Sequence, residues 1–146
     1  MDHAIRAMEI EDYEHVLALW EASEGVGLSS ADTERSIAVF LERNPGLSQV
    51  AHRQGQLVGA VLCGHDGRRG FIHHLAVSKV CRREGIGSAL VARCLDGLQE
   101  CGIQKCHIFV FAANSEAMVF WDRMGWAKRE ELAVMSMSIP EKSGRA

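Results

Sequence analysis

The chain is 146 residues long, 47% hydrophobic, and carries a formal net charge of −3. That length serves one domain with a proper buried core, and the acidic balance speaks against a nucleic-acid partner, which a basic excess or stripe would announce. No apolar run reaches the length needed to cross a bilayer, and the N-terminus lacks a signal-peptide core, its apolar residues being broken by Glu9, Glu11 and Asp12.

Residues His3 to Met8 read as a first strand. Glu11 or Asp12 then opens a helix on which Tyr13, Val16, Leu17 and Trp20 fall at i, i+3, i+4 and i+7, ending at Glu24-Gly25-Val26-Gly27. Ser29, Ser30 and Asp32 are caps available to a second helix, with Ile37, Phe40 and Leu41 as its apolar stripe and Asn44-Pro45-Gly46 as its stop. Strands Ser48 to Arg53 and Gln56 to Cys63 flank the turn pair Gln54-Gly55, and the strand Phe71 to Val77 follows. A helix from Gly85 to Cys101, a strand from Lys105 to Phe111, a helix from Ser115 to Met124 and closing strands Trp126 to Arg129 and Leu132 to Ile139 complete the chain. The order is β-α-α-β-β-β-α-β-α-β-β. It predicts a single mixed-sheet α/β domain over residues 1–140, with a parallel pair at its centre and a polar tail over 141–146. The five cysteines lack C-x-x-C pairs, and three sit among apolar residues of strand or helix, so reduced buried thiols and a cytoplasmic setting are expected.

The junction Val80-Cys81-Arg82-Arg83-Glu84-Gly85-Ile86-Gly87-Ser88 leads from a strand into a helix. The first N–H groups of a helix have no partner inside it, and the helix dipole adds positive charge there, so such a turn seats an anion. Gly85 and Gly87 remove side chains that would obstruct a phosphate, and Arg82 and Arg83 supply full charge. The plain alternative is a helix that merely starts with basic, glycine-containing sequence. The stretch is neither the dinucleotide fingerprint G-x-G-x-x-G nor a P-loop. Arg68, Arg69, Lys79, Arg82 and Arg83 crowd one short region, and a local patch of that kind suits a small polyanion.

With Leu75-Ala76-Val77 before it, Arg82-x-x-Gly85-Ile86-Gly87-Ser88-Ala89-Leu90 resembles the acyl-CoA signature of the GCN5-related N-acetyltransferase family. A second segment, Asn114-x-x-Ala117-x-x-Phe120-Trp121-x-x-x-Gly125-Trp126, is similar to that family's next motif, and the order of elements fits its layout over essentially the whole chain. The resemblance implies an acetyl-CoA-dependent N-acetyltransferase that moves an acetyl group directly to a primary amine of a small molecule or protein, without a metal. A non-catalytic acyl-CoA-binding module is the alternative. Homodimers are implied as well, since family members often dimerise, whereas no membrane or nucleic-acid partner is.

By position, the diphosphate of CoA would sit on the amides of Arg82, Arg83, Glu84, Gly85, Ile86, Gly87 and Ser88. The pantetheine arm would lie where the central parallel strands splay, along Leu75, Ala76 and Val77, with the Val77 N–H as oxyanion donor. Asn114 is a good N-cap and, by resemblance, a contact to the arm; Phe120 and Trp121 read as core first and cofactor contacts second. Trp121 replaces the tyrosine that protonates the leaving thiolate in many relatives, and Phe109 stands where some carry a glutamate base. His73, on one face with Leu75 by strand alternation, is the replacement base, because imidazole titrates near the working pH. Asp66 and Glu24 are weaker candidates, on loops that could reach the acceptor side. The acceptor side would come from Trp20 to Ser30 and Arg129 to Met135, with Trp20 and Glu24 in the pocket and Glu21 and Glu24 attracting a cationic amine.

Overall fold

In the computed structural model, which describes residues 3–142, the sheet is laid down by the β-branched and small apolar runs in the middle of the chain. Strands β1 (Ala4–Ala7), β2 (Gln49–Arg53), β3 (Gln56–His65), β4 (Gly70–Val77) and β5 (Cys106–Ile108) lie in the order β1-β2-β3-β4-β5. The first three pairings are antiparallel and β4–β5 is parallel. Helices α1 (Tyr13–Glu21), α2 (Glu34–Arg43), α3 (Ile86–Glu100) and α4 (Ser115–Arg123) cover the sheet. This is the expected mixed-sheet α/β domain, except that the parallel pair lies at the edge of the sheet and not at its centre, because no strand is formed beyond β5 among the described residues.

Alternation along the strands divides the core in two. Ala51, Val61, Cys63 and Ile72 face α3, which answers with Ile86, Leu90, Cys94 and Leu98 at four-residue spacing. Val50, Ala60, Leu62 and Ala76 face α1 and α2, met by Val16, Trp20 and Ile37. Each large side chain so buried contributes about 1.5–3 kcal/mol. Helix α3 lies close to the sheet because glycines stand under it. A Cβ on Gly59 would come 2.9 Å from Leu90 and one on Gly70 2.6 Å from Leu98. Cys63, Cys81 and Cys94 are buried free thiols, as expected; the hydrogen bond with the Cys63 sulfur, and then burial, hold the Cys94 thiol far above its ordinary value.

The two closing strands are not formed. From Trp126 to Lys142 the chain runs outside any sheet, with Leu132, Val134, Met135, Met137 and Ile139 exposed. The strand it would pair with, β5, is only three residues long, and beyond Ile108 the backbone turns toward α4. So short an edge offers too few ladder bonds to hold a further strand. Of the expected tail, residues 143–146 lie outside the described part of the chain.

Gly70 begins β4 beside β5 and faces three atoms of the buried Leu98 side chain, which must shift to admit a Cβ. Gly70→Ala is therefore expected to lower unfolding free energy by about 1–3 kcal/mol, the usual penalty of overpacking. Denaturant titration of the two proteins measures it.

Candidate active site

Strands β4 and β5 pair only through Gly70↔Cys106, Phe71↔His107 and Ile72↔Ile108. Past that point β4 continues to Val77 with no partner on its outer edge among the described residues. The cause lies on β4 itself. Between the pairs Leu62↔His73 and Ala60↔Ala76, one residue of β3, Val61, faces two of β4, His74 and Leu75. His74 is left-handed, at φ 54°. This is a β-bulge, which bends its strand and re-aims the side chains around it.

The bulge overturns one expectation. His73 and Leu75 do not share a face, because the extra residue breaks the period of two. Leu75 and Val77 pack on the α3 side, whereas His73 and His74 both look toward α2. Downstream, Ser78 N–H donates to the Val58 carbonyl across the sheet (2.8 Å), so by alternation the N–H of Val77 points the other way, into the gap beside β4. Arg82 Nε donates to the Val77 carbonyl at 3.1 Å and braces the strand end.

The turn after β4 leads through a 3-10 turn, Lys79–Cys81, into α3. Gly85 is the N-cap at φ 84°, and Arg83 is also left-handed at φ 67°. Such conformations keep consecutive amides pointing outward. The first amide of this helix taken up internally is that of Ala89, by the Gly85 carbonyl at 3.0 Å. The N–H groups of Arg83, Glu84, Gly85, Ile86, Gly87 and Ser88 have no acceptor among the described residues, while that of Arg82 is taken by Lys79 at 3.4 Å. The Glu84 carboxylate is turned away onto Arg53, which keeps a negative charge off these amides. The two glycines serve different ends: Gly85 supplies a left-handed backbone, and Gly87 supplies room, since a Cβ there would stand 3.3 Å from Phe120 Cζ. The donor set and the uncovered amides fit a diphosphate.

Across the sheet lies a cleft of about 630 Å³ between α2, the 3-10 turn Ser30–Asp32, and the middle of β3 and β4. His74 Nε2 lies 2.9 Å from Asp32 Oδ1, and the other carboxylate oxygen of Asp32 accepts the Ser29 N–H at 3.0 Å. Trp20 Nε1 donates to the His74 carbonyl at 3.0 Å, holding the bulge from below. The His73 ring stands between Phe40 and Phe71, with centroids 6.2 and 6.3 Å away. Burial, and then the neighbouring His74, hold its pKa below the ordinary imidazole value. Tyr13 ties α1 to this wall: its hydroxyl donates to the Asp32 carbonyl at 2.6 Å.

The second motif is half capping and half packing. Asn114 Oδ1 accepts the Ala117 N–H at 3.0 Å, so its carbonyl caps α4, while its amide nitrogen lies against Gly25. Trp121 packs edge-on between Phe120 and Trp126 at 5.2 and 4.9 Å. Phe109 is exposed beside Phe71.

Several expected residues fall elsewhere. Trp20 is 0% exposed and belongs to the core, not to a pocket wall. Glu21 and Glu24 are exposed and do not line the cleft, and neither does any residue of 129–135, whose hairpin is absent. Arg68 and Arg69 sit in the turn before β4, at the end opposite Arg82 and Arg83, so the five basic residues form no single patch. Asp66 is occupied in that turn by the amides of Arg68 and Arg69. The His74–Asp32 contact was hidden from sequence counting by the forty residues and more between its partners.

A split parallel pair with bare helix-start amides at its mouth defines an α/β domain in which an open strand edge and an anion seat lie side by side. The Acetyltransferase (GNAT) family model matches residues 5–126. An acetyltransferase of Pectobacterium atrosepticum is 32% identical over 120 residues, 82% of this chain and 84% of that one. Among solved structures, Ard1 from Thermoplasma volcanium superposes with a TM-score of 0.77 at 24% identity, over 87% of this chain and 84% of that one. The PaiA N-acetyltransferase from Thermoplasma acidophilum, solved with coenzyme A, superposes at 0.76 with 18% identity, over 89% and 92%. The chain belongs to the GNAT acetyltransferase family, whose general activity is acetyl transfer from acetyl-CoA. It is an enzyme of the N-acetyltransferase type.

Asp32 holds two partners at once. Asp32→Ala removes the acceptor of the half-buried His74 ring and of the exposed Ser29 amide and is expected to lower stability by about 1.5–3 kcal/mol, the ordinary worth of hydrogen bonds to a charged group. Thermal unfolding followed by circular dichroism reads the loss.

Proposed function

We propose that this chain acetylates a primary amine, of a small molecule or a protein, by direct transfer from acetyl-CoA, with the diphosphate on the amides of 83–88 and the acceptor entering through the α2 cleft. The observation that carries the proposal is the end of β4–β5 pairing at Ile72 directly upstream of those uncovered amides. Arg82 and Arg83 supply charge at the diphosphate. Along Leu75, Ala76 and Val77 the outer edge of β4 offers the arm the free Val77 N–H, and Phe120 packs where the arm passes Gly87.

The Val77 N–H polarises the thioester carbonyl and receives the oxyanion as charge develops. The amine lone pair attacks the carbonyl carbon, a C–N bond forms, the C–S bond breaks, and the thiolate leaves. His73 takes the proton that the nitrogen loses. It suits that role because its depressed pKa keeps it neutral near pH 7. Trp121 has no acidic proton to give the thiolate, so water supplies it.

Gly87→Trp is expected to abolish acetyl-CoA binding in calorimetry while the far-ultraviolet spectrum of the domain persists. Binding as tight as in the parent protein overturns the diphosphate assignment. His73→Ala is expected to lower kcat by about 10²-fold or more, the range of a lost general base, with acetyl-CoA affinity retained. The pH dependence has a definite sign. The folded-state pKa of His73 lies below the unfolded value of 6.5, so the unfolded chain binds the extra proton first. Stability contributed above pH 6.5 is therefore lost as pH falls toward the folded pKa, and His73→Gln flattens that part of the profile. An unchanged pH–rate profile in His73→Ala removes His73 from the mechanism.

A further inference from the structure

The wall of the cleft that α2 provides carries Arg35 and Arg43. Neither has an ion-pair or hydrogen-bond partner among the described residues, where the ion pairs formed use Arg6, Arg53, His74, Lys128 and Arg129. The carboxylates of α2 itself, Glu34 and Glu42, do not line the cleft; Glu34 acts instead on Tyr13, whose phenol is pushed up by burial and by that charge. The one carboxylate in the wall, Asp32, is already held by His74 and Ser29. In a chain of net charge −3, the cleft is thus lined by two unspent guanidinium groups.

Their placement follows β4. Asp32, just before α2, reaches His74, Phe40 in its middle meets His73, and Asn44 at its end accepts the His65 N–H at 3.1 Å. Helix α2 therefore runs along the sheet from the bulge back toward the start of β4. Arg35 stands near the histidines, and Arg43 stands eight residues on, about 12 Å further along the helix axis. We propose that the acceptor is an amine that also carries a carboxylate, its nitrogen presented at the histidine end and its acid group taken by Arg35 or, in a longer acceptor, by Arg43. Guanidinium binds carboxylate through paired donors and so fixes orientation as well as affinity. The proposal rests on reading this cleft as the acceptor side. It covers a free amino acid and an acidic peptide N-terminus alike, since both offer an amine and a carboxylate.

The test is thiol release from acetyl-CoA with matched acceptors. One arm pairs free amino acids with their primary amides; the other pairs peptides bearing Asp or Glu after the N-terminal residue with their Asn or Gln counterparts. The carboxylate member of a pair is expected to show a KM lower by about tenfold or more, as loss of a charge-assisted pair implies. The arm in which this appears identifies the source. Arg35→Ala/Arg43→Ala is expected to erase the difference, with the KM for acetyl-CoA unchanged and partial recovery in the double lysine variant. Equal KM values within every pair, or a double variant that keeps the discrimination, overturn the proposal. If acetyl-CoA binds yet no amine is acetylated, the acceptor chemistry fails, and the carboxylate site is judged by titrating the protein with glutarate. Shifts of the Arg35 or Arg43 Nε–H resonances support the site, and their absence overturns it.

Discussion

Everything in this molecule that bears on chemistry follows from one interruption in hydrogen bonding. β4 and β5 run side by side for three residue pairs and then part. A parallel pair buried between helices ordinarily continues as far as both strands last, because unpaired main-chain groups there are expensive. Here β4 carries an extra residue, left-handed His74, opposite Val61, and the strand bends out of register with its neighbour. The opening exposes the Val77 amide on one edge, and the turn that follows presents six further amides at the start of α3. These uncovered amides, from Val77 to Ser88, all fall within a dozen residues of one another in sequence.

The same bulge organises the opposite face. By turning two successive histidines to one side, it lets His74 reach Asp32 while His73 sits between Phe40 and Phe71. α2 is then tied to the sheet at both its ends, through Asp32 and through Asn44. The cleft between them is thus a product of strand geometry more than of helix packing.

Much of this was legible in residue order. Glycines at 85 and 87 with arginines at 82 and 83 announce a helix start with bare, outward amides, and the four-residue spacing of Ile86, Leu90, Cys94 and Leu98 places α3 against the sheet. The bulge is different. A left-handed residue is normally signalled by Gly, Asn or Asp, and His73-His74-Leu75 contains none of them, so period-two counting puts His73 and Leu75 on one face when they lie on opposite faces. The resemblance likewise puts Trp20 in the acceptor pocket, whereas its place on the apolar stripe with Val16 points inward; the structure packs it in the core, with its indole bonded to the His74 carbonyl. The apolar alternation over 132–139 speaks for strands, but a strand needs an edge to join, and three-residue β5 does not supply one.

The bond from Trp20 to the His74 carbonyl joins the heart of the protein to its working surface. An indole at 0% exposure is anchored by everything packed around it, so the angle of the β4 bulge is inherited from the fit of α1 against Val50, Ala60 and Ala76. Lesions deep in α1, far from any ligand, will accordingly masquerade as defects of turnover. Warming that merely loosens this layer will blunt the enzyme before the domain melts.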